Sequence, residues 1–481
     1  MAVACGSEFS AAVGEDGLLF AFGHNEDGQL GTNDTSPRLE PCSVQMPREP
    51  VRQVAAGYFR TGIVTDSGKL FLCGSGFKGT LGCNKIPTLM RESFFDNQPV
   101  LMVAFGGEHM AVVTVSGDVY TGGRGWDGQL GHNDKNHQLE PKKIPPEYFN
   151  DERIVMVAAG SDHTVALSEA GSVFTFGRRW NGQLGHNNEL QNQSVPGKVD
   201  PGHFNGKTVV FVAAGGYQTV AVTACGCLFT WGFGGDGQLG LGNISQKEVP
   251  TEVHIEGKGG GVVMAACSNF HTLVVTEDGA LWACGLNRFG QLGLDGWTDD
   301  HHHFEYSNYF KQVYPTFDGK KVVAAAVGYS HSAAVTEDGA LWTWGRGSHG
   351  RLGHGHENDR PRPERVSKLS NMRIGRCREL PVEHALAFVS VTHGRLGGES
   401  SLSALTKDEL TMIVNEAKSW PKGLTKREEG LGRLLGGGLI PLDMWPEPEA
   451  GQETQPVIST MLRALVKVCK PCRVSVSAQN L

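Results

Sequence analysis

An all-β propeller of seven blades is the fold predicted by three recurrences within this chain of 481 residues. A tetrad Gly-X-Leu-Gly starts at Gly28, Gly79, Gly128, Gly182, Gly237, Gly290 and Gly350, at spacings of 49 to 60 residues. Five residues before each tetrad a glycine (Gly23, Gly74, Gly123, Gly177, Gly232, Gly285, Gly345) closes a 21-residue block, most clearly VAAGSDHTVALSEAGSVFTFG and AAVGYSHSAAVTEDGALWTWG. Three positions before that closing glycine there is always an aromatic: Phe20, Phe71, Tyr120, Phe174, Phe229, Trp282 and Trp342. A unit near 50 residues is too long for one hairpin and too short for a domain, so it must bury its apolar face against its neighbours.

Each block opens with small residues and an alternating apolar run, turns at a glycine, and continues with a second alternating run such as Leu341-Trp342-Thr343-Trp344. Asp278-Gly279 and Asp338-Gly339 between such runs are hairpin signals. The segments between blocks carry a proline and a shorter apolar run, as in Pro141-Lys142-Lys143-Ile144 and Pro363-Glu364-Arg365-Val366, which supply an outer strand. Three or four short strands repeated seven times describe a propeller; a parallel solenoid is the competing architecture, and hairpin turns in so long a unit favour radial blades.

The propeller is expected to occupy residues 1–391, with a degenerate closing segment in which strands from 363–391 meet the N-terminal strands. Residues 392–481 are expected to form a helical and linker extension. There Thr406-Lys407-Asp408-Glu409 has capping-box form and predicts a helix over about 406–420, followed by linker and a second helix over 457–468.

Composition bounds the function. The 66 glycines fall at fixed repeat positions and mark turns, and a net charge of −8 argues against a nucleic-acid surface covering the molecule. There is no apolar run of about 18 residues and no basic-then-apolar leader, so neither a membrane span nor secretion is expected. The eleven cysteines lack paired spacing. Several, including Cys73, Cys225, Cys227 and Cys284, fall on strand positions and read as reduced, buried small hydrophobes of the cytoplasm or nucleus.

Local motifs point away from catalysis. Gly206-Lys207-Thr208 ends like a phosphate loop, but position 201 is proline and the stretch precedes a strand; Gly430 to Gly436 misses a dinucleotide fingerprint by one residue. His301, His302, His303, His354 and His356 sit on loops without converging ligand geometry. The pair Cys469 and Cys472 stands alone, and neither a metal nor a cofactor is expected. No nucleophile, base and oxyanion set emerges. His109, His163, His271 and His331 recur at one block position, where other copies hold Phe9, Arg60 and Gln218, and repetition around a ring points to a structural role, bonding backbone near the central channel. The pair before it, such as Ser161-Asp162 or Tyr329-Ser330, sits on a loop and is freer to serve recognition.

From residue 3 to about 391 the block plus Gly-X-Leu-Gly resembles the repeat of the regulator of chromosome condensation family. The kelch pattern of a double glycine with separated Tyr and Trp is absent, and no WD-type dipeptide recurs from repeat to repeat. The resemblance implies a seven-bladed propeller whose loops bind a protein partner, the use most such repeats share. The family's namesake is a guanine-nucleotide exchange factor for a Ran-like small GTPase, and an aspartate in a Gly-X-Asp-His loop serves its GTPase face. Gly160-Ser161-Asp162-His163 matches that loop, making Asp162 and His163 candidate partner-binding residues. Glu8 and Glu108 stand at the equivalent position of other copies and suit basic residues on a partner. The chain starts directly on a repeat, without the namesake's basic tail, and the longest insert is Leu294 to Phe317. The recurring Gly-Trp-Arg-His-Thr of the plant UV-B photoreceptor branch is also absent.

The sequence therefore reads as a protein-interaction scaffold; the alternative is an exchange factor, which favours the nucleotide-free GTPase by differential binding. As a surface change, Asp162→Ala is expected to leave stability within about 0.5 kcal/mol.

Overall fold

The computed structural model describes residues 2–47, 49–76, 84–187, 191–294, 306–313 and 317–375. The tetrad at Gly79, the insert histidines 301–303, both expected C-terminal helices and the Cys469/Cys472 pair lie outside these residues.

Alternation of apolar residues on either side of a glycine turn produces the blades. In the first, Val3–Cys5, Phe9–Val13, Leu19–Gly23 and Arg38–Val44 pair antiparallel in chain order. The described residues form seven such four-stranded sheets, each built from consecutive strands. Blades 2 to 7 begin at Val51, Val100, Ile154, Val209, Val262 and Val322. The first strand of each blade packs on the first strands of both neighbours, and that of blade 7 packs on that of blade 1, so these strands line the axis of a closed ring. Because the strands run antiparallel, the loops joining strands 1–2 and 3–4 share one face, and the turns joining strands 2–3 lie on the other.

Middle strands are buried on both sides, as in His109–Thr114 and His163–Ser168, while outer strands such as Gln138–Lys143 alternate with solvent. The recurring aromatic has a defined task. Connectors between blades carry a buried phenylalanine that meets it edge-on: Phe95 on Tyr120, Phe149 on Phe174, Phe204 on Phe229 and Phe317 on Trp342, with centroids 5.4–5.5 Å apart. That geometry sets the positive ring edge against the negative face. The closing glycine is fixed by close approach: at Gly177, φ +111°, a Cβ would stand 2.5 Å from the Asp162 carbonyl oxygen.

The expected closing segment is described only as far as residue 375. Among the described residues no strand is exchanged; Arg360–Arg365 is the outer strand of blade 7, and blade 7 packs sideways on blade 1. Val3, Ala12, Phe20 and Phe22 share a core with Ala333, Val335, Leu341 and Ile374. The end of the described chain also reaches across, through a bridge between Gly14 and Ile374 and the bonds Glu15 N–H to Arg373 O and Gly375 N–H to Val13 O. Among the described residues no helix is long and apolar enough to cross a membrane.

Candidate interaction face

The face that carries the strand 1–2 and 3–4 loops is tied together by one repeated device. The imidazole Nε2 of His109, His163, His271 and His331 lies 2.8–3.0 Å from the hydroxyl of Thr164, Thr219, Ser332 and Ser10, each in the next blade. Each hydroxyl donates in turn to the carbonyl of the tetrad's second residue: Thr164 to Gln129, Thr219 to Gln183, Ser332 to Gln291 and Ser10 to Arg351. A carbonyl can only accept, so the hydroxyl proton is committed and the imidazole must donate through Nε2–H. Burial keeps these rings neutral, pushing His109, His163 and His271 down to about 3, with His331 also well below its ordinary value. Gln218 fills the same role, donating from Nε2 to Thr272 at 2.8 Å. The partner is a side chain of the neighbouring blade, where the sequence reading expected backbone. In blade 2 the position holds Arg60, facing a blade whose corresponding residue, Met110, has no hydroxyl.

The tetrads brace the outer edge of the same seams. The glutamine side-chain carbonyl accepts the N–H two residues earlier, as in Asp127 to Gln129 and Asn181 to Gln183. A Cβ on the first tetrad glycine would stand 2.7 to 2.9 Å from the next blade's Cα at Gly28, Gly128, Gly182 and Gly237, and 2.3 to 2.4 Å from it at Gly290 and Gly350.

Across the channel mouth, the Tyr58 hydroxyl of blade 2 meets Ser161 Oγ of blade 4 at 2.5 Å and Asn269 Nδ2 of blade 6 at 3.1 Å. Asp162, 9 % exposed, lies beside this plug. Its carboxylate binds Arg178 Nη1 at 3.1 Å and sits 3.9 Å from Arg124 Nη1, which also binds Glu108 at 3.1 Å. Each arginine lies over a tryptophan two residues on: Arg124 over Trp126 at 4.4 Å and Arg178 over Trp180 at 4.2 Å. Trp126 and Trp180 are 61 % and 69 % exposed. Two large aromatic faces are thus held on adjacent blades by guanidiniums whose positions the acidic residues set.

The sequence candidates separate accordingly. Asp162 and Glu108 meet around Arg124, whereas His163 is fully buried and bonds blade 5. Glu8 lies at the seam of blades 7 and 1, bound to the fully buried Arg351 at 3.1 Å and to His349 at 3.3 Å. Burial opposes ionisation of Glu8, but the charges of Arg351 and His349 outweigh it and hold the carboxyl below its ordinary range. Ligand atoms of Glu8, His24 and His349 lie within 4.8 Å of one another. A cation there would face the Arg351 guanidinium on the shared carboxylate, and Gln29 Nε2 already lies 2.9 Å from Nδ1 of His24. His354 bonds Thr343 and His356 bonds Arg360.

The model of the RCC1-like domain matches residues 46–382, and that of the regulator of chromosome condensation (RCC1) repeat matches residues 16–64. The chain belongs to the RCC1-like family. It is 31 % identical over 415 residues to the ultraviolet-B receptor UVR8 of Arabidopsis thaliana, covering 76 % of this chain and 82 % of that protein. It is 32 % identical over 378 residues to the human E3 ubiquitin-protein ligase HERC2, covering 77 % of this chain and 8 % of the ligase, so the chain spans a small part of that relative. Among solved structures, human WBSCR16 superposes with a TM-score of 0.64 at 26 % identity, covering 73 % of this chain and 94 % of that one. Yeast Prp20, solved bound to Kap60, gives a TM-score of 0.64 at 21 % identity over 72 % and 83 % of the two chains, a likeness of fold alone.

Within the RCC1-like repeat, the tryptophans are what sequence reasoning missed. Their signal was present: Arg124-Gly125-Trp126-Asp127 and Arg178-Arg179-Trp180-Asn181 precede two successive tetrads with the same spacing. Asp162 is also no surface residue. Its removal would leave two half-buried guanidiniums side by side, so Asp162→Ala is expected to lower stability by about 1–3 kcal/mol, read as a shift in the urea midpoint.

Proposed function

We propose that this RCC1-like propeller is a protein-interaction module that engages its partner through the loop face of blades 3 and 4. The observation that carries the reading is the pair of exposed tryptophans, each stacked under an arginine that an acidic residue holds in place. Tryptophan and arginine dominate binding energy at interfaces, and side chains ordered before binding lose little entropy on it. Replacing Trp126 and Trp180 together with alanine is expected to abolish capture of the partner from cell extract while leaving the melting temperature unchanged. A partner set identical to that of the unaltered protein would overturn the reading.

A second reading is guanine-nucleotide exchange on a Ran-like small GTPase. It rests on the match of Gly160 to His163 to the family's exchange loop and on the place of Asp162 between the two tryptophan loops. Exchange needs no bond chemistry from the protein, only tighter binding of the nucleotide-free GTPase. Release of a fluorescent guanine nucleotide from Ran tests it. Acceleration that is lost in Asp162→Asn, which keeps the shape and removes the charge, supports exchange. Absence of acceleration by the folded protein leaves the scaffold reading alone.

A further inference from the structure

The turn joining strands 2 and 3 of blade 5 departs from the expectation of buried cysteines. Cys225 is exposed and Cys227 half-buried, while Cys73 and Cys284 are buried. The strand register is the reason: Cys225 and Cys227 flank Gly226, the turn glycine with φ +74°, and so lie beyond the paired strands. Their sulfurs are 3.5 Å apart.

This juxtaposition is a property of the repeated turn. In blade 3 the two corresponding side chains also converge, Ser116 Oγ donating to Asp118 at 2.9 Å. The threonine that opens the turn caps it in both blades: Thr114 reaches Ser116 at 2.8 Å and Thr223 reaches the Cys225 sulfur at 3.2 Å. Thr223 Oγ1 accepts the Cys227 N–H, and its own proton is directed between the Cys225 sulfur at 3.2 Å and the Cys227 carbonyl at 3.4 Å. On the other side Lys207 Nζ stands 3.2 Å from the Cys227 sulfur and 2.7 Å from Glu252. Hydroxyl, ammonium and paired sulfur thus surround an exposed thiol.

We infer that Cys225 and Cys227 form a redox-active dithiol that reacts with hydroperoxides, Cys225 as the attacking sulfur and Cys227 as the resolving one. The Cys225 thiolate attacks one oxygen of the hydroperoxide, the O–O bond breaks, and the departing alkoxide or hydroxide takes a proton from water. The sulfenic acid left on Cys225 is then attacked by the Cys227 sulfur; the S–S bond forms, the S–OH bond breaks, and water leaves with the Cys227 proton. Two thiols lose two electrons and the hydroperoxide gains them.

The environments match these roles. Partial burial opposes ionisation of Cys225, but hydrogen bonds from Thr223 and Cys227 and the charge of Lys207 outweigh it and lower the thiol. Burial first, then Glu252, raises Cys227. The thiolate is the nucleophile, so the assignment follows the exposed, lowered sulfur. Two residues of chain span at most about 7 Å when extended, and the positive φ of Gly226 bends the chain between the two cysteines, so the Cα atoms can meet the disulfide range of about 4.4–6.8 Å. The turn lies on the face opposite the tryptophans, so this inference is independent of the proposed partner.

Peptide mapping of the full-length protein after hydrogen peroxide, with denaturing alkylation, tests it. The expected result is a peptide containing Cys225 and Cys227 that is lighter by about 2 Da, takes up no alkylating agent, and recovers both sites after a dithiol reductant. It should form at peroxide doses that leave Cys42 free. Cys227→Ser should trap dimedone on Cys225, and Cys225→Ser should leave Cys227 reduced. Other copies carry serine at the first position (Ser67, Ser116) and at the second (Ser172), so both variants are expected to fold. Full alkylation of both cysteines after peroxide, a bridge from either to a different cysteine, or unchanged reactivity in Cys225→Ser would overturn the assignment.

Discussion

At pH 5 the protein is expected to have lost about 2 kcal/mol of stability for each of His109, His163 and His271, relative to pH 7.5, with His331 acting in the same direction. His109, His163 and His271 fall from an ordinary 6.5 to about 3, and His331 lies well below 6.5, because each ring is fully buried. A depressed histidine value means that the unfolded chain binds protons between 6.5 and about 3 that the folded one excludes. Stability therefore falls as pH drops below 6.5, by about 1.4 kcal/mol per unit and per histidine until the folded value is reached. Protonation would also place a proton on Nδ1, which in His109, His163 and His331 is buried without a partner. The three that fall to about 3 sum to about 6 kcal/mol at pH 5, comparable with the whole margin of a typical domain, and His331 adds to it, so acid unfolding below about pH 5 follows. Gln218 shows how to remove the effect, since it makes the same bond and does not titrate. The variant with His109, His163, His271 and His331 all changed to glutamine should unfold at lower pH and match the unaltered protein near pH 7.5. Urea melts across that range decide it; identical pH dependence in both proteins would refute the account.

Arg351→Ala should open the ring at its seam, at a cost of about 3 kcal/mol. In the seventh tetrad this arginine stands where five others hold glutamine, and its side chain is fully buried. It binds Glu8 of blade 1 at 3.1 Å and donates from Nε to Ser348 O at 2.9 Å, while its own carbonyl receives the Ser10 hydroxyl. Removing the guanidinium leaves the Glu8 carboxylate half-buried with His349 and His24 beside it. Arg351→Gln restores the tetrad's ordinary residue, whose side-chain carbonyl can accept the N–H two residues earlier, and should lose less than alanine does. Hydrogen exchange should locate the loss in the strands Val3–Cys5 and Val322–Val327 on either side of the seam. A uniform increase around the ring, or equal stability of the two variants, would show that closure does not depend on this pair.

Much of this molecule was legible because each recurrence answers one local demand. The closing glycine is required where the strand passes under a loop carbonyl, the aromatic where a connector docks, and the turn glycine where φ is positive. The loop face was legible in part. Asp162 and Glu108 were singled out, and the structure brings them together around Arg124. That they serve as ties between arginines, and that Trp126 and Trp180 stand exposed above them, depends on contacts between blades. The cysteines at 225 and 227 were placed on a strand pattern, although the glycine between them marks the turn.

The sequence by itself determined the number of blades, the order of strands within them and the positions where glycine or an aromatic ring is obligatory. These follow from interactions within about 50 residues, which a repeated pattern records directly. The tertiary structure alone decided how the ring closes, which atom each seam histidine bonds and which acidic side chains are buried. Those outcomes depend on pairs separated by one blade or by the whole ring, such as His163 with Thr219 and His331 with Ser10. A hydroxyl one blade away and a carbonyl on the same strand are equally good partners in sequence terms, and only the closed geometry brings one of them to 3 Å.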